Sequence, residues 1–335
     1  MPHFFSSVVF LYDFPMSSIG WTDASDEDIT HLFYVVVDGC IIRVKNTSSL
    51  SQNANALVIG DSVSKCSFTN NTIDSGYYAI TTKATIAGHN GFDTISNNTI
   101  HGFYNRGINL FNTNDMVITQ NRIESGATAD SKALYGIYMS GHTGLLSLEQ
   151  NQVYLVDDYT GGKRGISLYN VIGTSARRGK VYNNMVSCYG VGKAVVVPMG
   201  IVVDSASTYL NLYFNSVSVY ASARNTGASE PTCRAISIGE KVDNVTNINL
   251  RDNVMSNLSA GYSLYAKTAI AIPSIDFNVY YSAPHSANQA ARKFAFWGAD
   301  VADLAALRAA TNADQHSIEE EPVFVGSDDL HMASG

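Results

Sequence analysis

One six-residue pattern recurs along this chain and limits what it can fold into. Phe68-Thr69-Asn70-Asn71-Thr72-Ile73 returns as Ile95-Ser96-Asn97-Asn98-Thr99-Ile100, as Ile118-Thr119-Gln120-Asn121-Arg122-Ile123 and as Leu148-Glu149-Gln150-Asn151-Gln152-Val153. The pattern is apolar, two polar, Asn, any residue, apolar. Weaker copies surround Asn184, Asn215, Asn253 and Asn278, and the steps between the asparagines are 27, 23, 30, 33, 31, 38 and 25 residues. Self-similarity at this period marks a stack of structural repeats.

A second repeat runs in phase with the first. Ala79-Ile80, Gly107-Ile108, Gly136-Ile137, Gly165-Ile166, Gly200-Ile201, Ala235-Ile236 and Ala269-Ile270 each open a short alternating run. Alternation is strand periodicity. Each repeat therefore holds at least two short strands, one after a small residue and one bracketing an Asn. The expectation is an all-β fold, a parallel β-helix of about eight or nine coils with loops of unequal length. Parallel crossovers are almost always right-handed, so the coil should be too. Asn tolerates the left-handed backbone region and is expected to turn the corner between strands. Stacked roughly 4.8 Å apart, the amides would bond in a ladder while the flanking apolar residues point inward.

The pattern divides the chain. Coils run over 34–281, with Asn46 as a degraded first rung. Residues 1–33 lie outside the repeat and read as an N-terminal cap, and 282–335 as a C-terminal cap, all one domain. Ala299 to Ala310, with Val301, Leu304, Ala305 and Ala309, reads as an amphipathic helix within that cap. The inserts Ser125 to Leu134, Asp157 to Lys163, Tyr189 to Pro198 and Ala221 to Cys233 fall at equivalent places and should protrude on one side.

Composition narrows the partners. A net charge of −8 without a basic run argues against nucleic acid. No stretch reaches the roughly twenty apolar residues of a membrane span. The apolar Phe4 to Phe14 lacks a basic start and a cleavage site, so it does not read as a signal peptide. Cys40, Cys66, Cys188 and Cys233 show no metal-like spacing and read as buried free thiols. A monomer is expected.

Two constellations could carry function. The position after the second apolar residue of the Asn motif gives a column containing Asp74, His101, Glu124 and Tyr154. It puts two carboxylates about two strand spacings apart with an imidazole between them, near the separation used by inverting glycosidases. The competing reading is a solvated polar column of cross-strand pairs. The other constellation is basic and aromatic: Tyr78, Arg106, Tyr135 and Arg164 just before the small-residue strands, with Tyr104 and Tyr159 in neighbouring loops and Tyr138 further along. Tyrosine faces stack on sugar rings and guanidinium forks onto hydroxyls or carboxylates. The competing reading is that these tyrosines merely cover a sheet. No metal ligand set is assigned. Calcium is the one candidate cofactor, at Asp23, Asp26, Glu27 and Asp28 or at Asp157 and Asp158, on spacings that match no motif.

The tail adds a resemblance. Asn278-Val279-Tyr280-Tyr281, the helix, Asp314-Gln315-His316-Ser317, Glu321-Pro322-Val323-Phe324-Val325 and Asp329-Leu330-His331 resemble the end of secreted right-handed parallel β-helix proteins of polysaccharide-degrading bacteria, as do the repeats. That group includes carbohydrate-binding modules, polysaccharide lyases and glycoside hydrolases. The resemblance implies a secreted or cell-surface protein. The expected function is binding of an extended, xylan- or pectin-like plant polysaccharide through Tyr78, Tyr104, Arg106, Tyr135, Tyr138, Tyr154, Tyr159 and Arg164. The alternatives are a glycoside hydrolase using Asp74, His101 and Glu124, a lyase using Lys163 and Arg164, and a structural surface protein or adhesin.

Overall fold

The computed structural model describes residues 32–33, 35–44, 55–60, 63–82, 84–85, 90–126, 133–157, 162–190, 197–221, 233–241, 244–259, 261–268, 271–283 and 293–333. The protein is all-β with parallel-strand sheets. Its strands form three ladders, and within each a strand pairs in parallel with its counterpart one repeat later. Ladder A precedes the Asn: Val36–Asp38, Ser67–Thr69, Thr94–Ser96, Thr113–Thr119 and onward to Ser274–Asp276. Ladder B follows it: Ile41–Arg43, Thr72–Asp74, Thr99–His101, Arg122–Glu124 and onward to Ile318–Glu319. Ladder C holds the small-residue strands, from Leu57–Ile59 through Tyr78–Thr82 and Arg106–Phe111 to Ala295–Trp297; after Cys233–Ile238 it passes through Gly261–Ala266, and the expected start at Ala269-Ile270 lies outside the described residues. Ladders A and C join into one sheet because the 16-residue strand Leu134–Glu149 begins in C and ends in A. The Asn hexapeptide is thus two strands, broken at the corner.

The asparagines stack in single file. Asn151 Oδ1 accepts from the backbone N–H of Asn121 at 3.1 Å and from its Nδ2 at 2.9 Å. Asn151 Nδ2 donates to Ile118 O at 2.8 Å and to Asn184 Oδ1 at 3.0 Å. The same bonds join Asn71 to Asn98, Asn98 to Asn121, Asn184 to Asn215, Asn215 to Asn253 and Asn253 to Asn278. Ser317 closes the file, its Oγ accepting from Asn278 N–H at 2.7 Å, and at the other end Cys40 N–H donates to Asn71 Oδ1 at 2.9 Å. Cys40 therefore occupies the rung expected for Asn46, which lies outside the described residues.

The corner itself is turned by another residue. The left-handed conformation falls on the position before each stacked Asn: Asn70 (φ 57°), Asn97 (54°), Gln120 (57°), Gln150 (57°), Asn183 (52°), Phe214 (59°), Asp252 (56°) and Phe277 (59°). The stacked Asn has ordinary φ. Its task is to satisfy backbone groups that the turn removes from the strand ladder, accepting through Oδ1 and donating through Nδ2 of one short side chain.

The flanking apolar residues form the core. Ile95, Ile118, Leu148, Val181, Leu212 and Leu250 on ladder A and Ile73, Ile100, Ile123, Val153, Val186 and Val217 on ladder B have no exposed surface. That packing dictates the small residue opening each ladder C strand. A Cβ on Gly165 would lie 2.1 Å from Val186 Cγ1 and 2.8 Å from Gly200 O, and on Gly136 2.2 Å from Val153 Cγ1.

Beyond the Asn file the stack continues past residue 281, since Ala295–Trp297 extends ladder C and Ile318–Glu319 ladder B. At the N-terminal side Leu32–Phe33 already pairs with Val63–Ser64. The helix is Leu304–Thr311, shorter than expected because Asp303 caps it by accepting from Ala306 N–H. Leu304 and Leu307 form its buried face; Ala305 and Ala309 are exposed. Val301 is buried in a short strand instead. An antiparallel hairpin, Phe324–Gly326 with Asp329–Met332, lies back against Met185–Gly190 and Ser216–Ala221 and buries Leu330. All four cysteines are free, with Cys40 half-buried and the others buried.

Two buried titratable groups make stability depend on pH. Asp93 Oδ1 accepts from Cys66 N–H at 2.8 Å, while its fully buried Oδ2 has no partner. Burial pushes this carboxyl up to about 6 from 3.8. Between those values the folded chain holds a proton that the unfolded chain has lost, so this contribution to stability fades as pH rises through the window. Burial pushes His142 the other way, to about 4 from 6.5, so its contribution is lost as pH falls from near 6.5 through about 4. Comparing variants isolates one group. Asp93→Asn should match wild-type stability near pH 4 and exceed it by on the order of 2 kcal/mol at pH 8. Parallel urea unfolding curves at both pH values check this; an unchanged difference would show that Asp93 is not held protonated.

Candidate functional site

The outward positions of ladder C gather the aromatic and basic residues. Tyr78, Arg106, Tyr135 and Arg164 are consecutive partners in register, and Tyr138 sits on the neighbouring column beside Asn109 and Ser167. Placing Tyr135 between the arginines holds the two cations about two strand spacings apart and gives each a ring. Arg106 is caged: its guanidinium carbon lies 3.7 Å from the Tyr138 ring centroid, 5.1 Å from Tyr135, 5.4 Å from Tyr78 and 5.7 Å from Phe111. Its Nη1 donates to Asn109 Oδ1 at 2.5 Å. Arg164 Nη1 donates to the Tyr169 hydroxyl at 2.6 Å, and Tyr138 leans on Tyr169 with centroids 5.4 Å apart.

These side chains surround a cavity of about 320 Å³ lined by Arg106, Tyr135, Tyr138, Arg164, Tyr169 and Lys241, with Ser140, Asn170 and Ser205 completing its wall. Burial pushes the Tyr169 phenol up to about 12 despite the opposing charge of Arg164, so it stays a neutral hydroxyl across the physiological range. The cavity thus combines flat ring faces, guanidinium and ammonium donors, and hydroxyls, which together suit a polyhydroxylated or anionic ligand.

The acid–histidine column lies elsewhere, on ladder B. His101 pairs in register with Asp74 on one side and Glu124 on the other. His101 Nδ1 is 3.3 Å from Asp74 Oδ1, which also accepts from Ser75 Oγ at 3.0 Å, and Arg43 Nε is 3.7 Å from Asp74 Oδ2. Glu124 is ion-paired with Arg122 on its own strand. The three residues are brought together at the surface, each acid beside a basic neighbour.

The remaining expected residues disperse. Tyr104 packs on Tyr77, centroids 5.3 Å apart, at the Tyr78 edge of the cluster. Tyr154 is not on this face: it belongs to ladder B, is buried, and lies near Asp328 and Asp329 of the C-terminal hairpin. It is therefore unavailable as an exposed stacking platform. Lys163 is fully buried with Nζ donating to Tyr189 O at 2.6 Å, so it does not present an amine to solvent. Tyr159, Asp158, the side chain of Asp157 and the acids at 23–28 lie outside the described residues, as do most of the inserts. The insert ends do share one corner, leaving ladder B at Glu124, Asp157, Gly190 and Ala221 and re-entering ladder C at Leu134, Lys163, Met199 and Cys233. Among the described residues no group of three or more His, Cys, Asp and Glu is placed to hold a metal ion, and no helix is long and apolar enough to cross a membrane.

Tyr169 and Lys241 were not anticipated. Tyr169 continues the outward alternation from Ser167, whereas Lys241 sits in the turn after Cys233–Ile238 and carries no repeat signal. A second aromatic group on ladder A, Tyr182 stacked on Tyr213 at 5.2 Å beside exposed Phe214, was also missed. No family model, curated protein or solved structure matches the chain.

The two constellations should respond differently to mutation. Tyr138→Leu uncages Arg106 and should cost about 1–2 kcal/mol. Glu124→Gln breaks an exposed pair and should stay within about 1 kcal/mol of wild type. Equilibrium denaturation measures both, and the reverse order would contradict the assignment of the half-buried cage to ladder C.

Proposed function

We propose that the three ladders are the faces of a single right-handed parallel β-helix of the kind found in secreted proteins of polysaccharide-degrading bacteria. Support comes from the strict one-repeat step of every parallel pairing and from the Asn file along one corner. On that scaffold the protein is a monomeric, secreted or cell-surface carbohydrate-binding protein that holds an extended, xylan- or pectin-like polysaccharide. The observation that carries this reading is the convergence of Tyr135, Tyr138 and Tyr169 with Arg106, Arg164 and Lys241 around one cavity on a rigid strand face. Sites built on strands are held more firmly than sites on loops, which suits recognition of a stiff, repeating ligand.

A second reading has its own observation. His101 stands between Asp74 and Glu124 in adjacent strands, which favours a glycoside hydrolase over other enzymes. One experiment separates the two. Pull-down on insoluble xylan, pectin and cellulose is run beside reducing-sugar and unsaturated-product assays. Binding without product, weakened about tenfold or more by Tyr135→Ala, is the expected result. Product that disappears in Glu124→Gln would replace binding with hydrolysis, and neither binding nor product would leave a structural surface role.

A further inference from the structure

We infer that the ladder C cavity binds the anionic group of a charged glycan, a uronate carboxylate or a sulfate ester, and discriminates against neutral polysaccharides. This rests on the glycan-binding reading above and narrows it. The chain carries a net charge of −8, yet three cations and no acid line this cavity. Among the described residues five lysines and arginines elsewhere face an acid, while Arg178 and Arg308 donate to backbone carbonyls instead. Arg43 pairs with Asp74 at 3.7 Å, Arg177 with Asp115 at 2.8 Å, Lys180 with Glu149 at 3.9 Å and Arg122 with Glu124. Arg234, in the same outward column as Arg106 and Arg164, pairs with Glu240 at 3.1 Å. Among the described residues Arg106, Arg164 and Lys241 make no such pair.

Of the two nearest acids Asp204 is engaged by backbone N–H groups, and Glu240, which also attracts Arg164, pairs with Arg234 through Oε1 alone. Asp204 Oδ1 accepts from Ser205 N–H at 2.8 Å and its Oδ2 from Lys241 N–H at 3.1 Å, while Glu240 faces Arg234. Arg106 also keeps a buried Nε without a partner. Guanidinium groups set against aromatic rings, partly withdrawn from water, favour an anion that completes them. A neutral sugar would leave that charge unmatched. The volume of about 320 Å³ is at the small end of ligand pockets and accommodates a charged sugar unit while the chain runs on across the strands. Ser140, Asn170 and Ser205 stand where hydroxyls of that unit would need partners.

The test is isothermal titration of the full chain with three glycans: polygalacturonate, which bears only carboxylates, carrageenan, which bears only sulfates, and neutral arabinoxylan. At least one anionic glycan should bind about tenfold or more tightly than arabinoxylan, and should weaken as NaCl rises from about 0.05 to about 0.5 M. Arg164→Gln and Lys241→Gln should each weaken that binding about tenfold and flatten its dependence on NaCl. Lys241 is exposed, so its variant remains informative even if Arg164→Gln misfolds. Whether polygalacturonate or carrageenan binds more tightly names the source of the anion. Arabinoxylan bound as tightly as both anionic glycans, with no effect of Lys241→Gln, would overturn the inference and leave the glycan reading standing. No binding of any of the three would remove both.

Discussion

The side-chain amide ladder is the interaction on which the rest of the structure depends. A chain that turns sharply once per repeat strands backbone N–H and C=O groups at the same place each time. Left buried and unpaired, each would cost about 1–3 kcal/mol. The stacked Asn resolves this with one residue type. Its Oδ1 takes the N–H of the Asn one repeat earlier, and its Nδ2 returns to a carbonyl of that repeat and forward to the next amide, as at Asn121, Asn151 and Asn184. Because each bond spans adjacent repeats, the ladder also sets register. A slip of one residue would turn Ile100 and Ile123 outward and put polar residues inside.

Register in turn writes the outer surface. Because Gly107, Gly136 and Gly165 face the core, against Ile123, Val153 and Val186, the residues before them, Arg106, Tyr135 and Arg164, follow one another on the outside. The alternation of cation and ring in that column is therefore a property of sequence read at one residue per repeat. It produces a cage around Arg106 that no single repeat contains. The same logic places His101 between Asp74 and Glu124 on ladder B. A rigid stack turns spaced residues into a contiguous surface without any loop having to fold over it.

Much of this was legible in the sequence, and the failures have physical causes. Asn71, Asn98, Asn121 and Asn151 announced themselves by identity and spacing. Which residue turns the corner did not, because Asn70 and Asn97 are also asparagines; the repeats with Gln120, Phe214 and Phe277 in that slot held the clue. Tyr154 looked exposed by register, but a hairpin from the far end of the chain covers its ladder. Tertiary return of this kind leaves no periodic trace. Lys241 reaches the cavity from a turn, and turns lie outside any strand register. The helix was expected from Ala299 but starts at Leu304, where Asp303 caps it, and of the expected apolar face only Leu304 is buried within it, joined by Leu307.

Native-state hydrogen exchange of the backbone N–H groups of Asn98, Asn121, Asn151, Asn184 and Asn215 tests the ladder most directly. Each donates to the Oδ1 of the next stacked amide, at 3.1, 3.1, 3.0, 3.1 and 3.0 Å in that order. If the amide file holds the repeats together, these five protons exchange only with global unfolding, as slowly as the core strands beside them. Exchange at the rate of exposed turns, with the neighbouring strands still protected, would show that the corners are open and that packing alone holds the register.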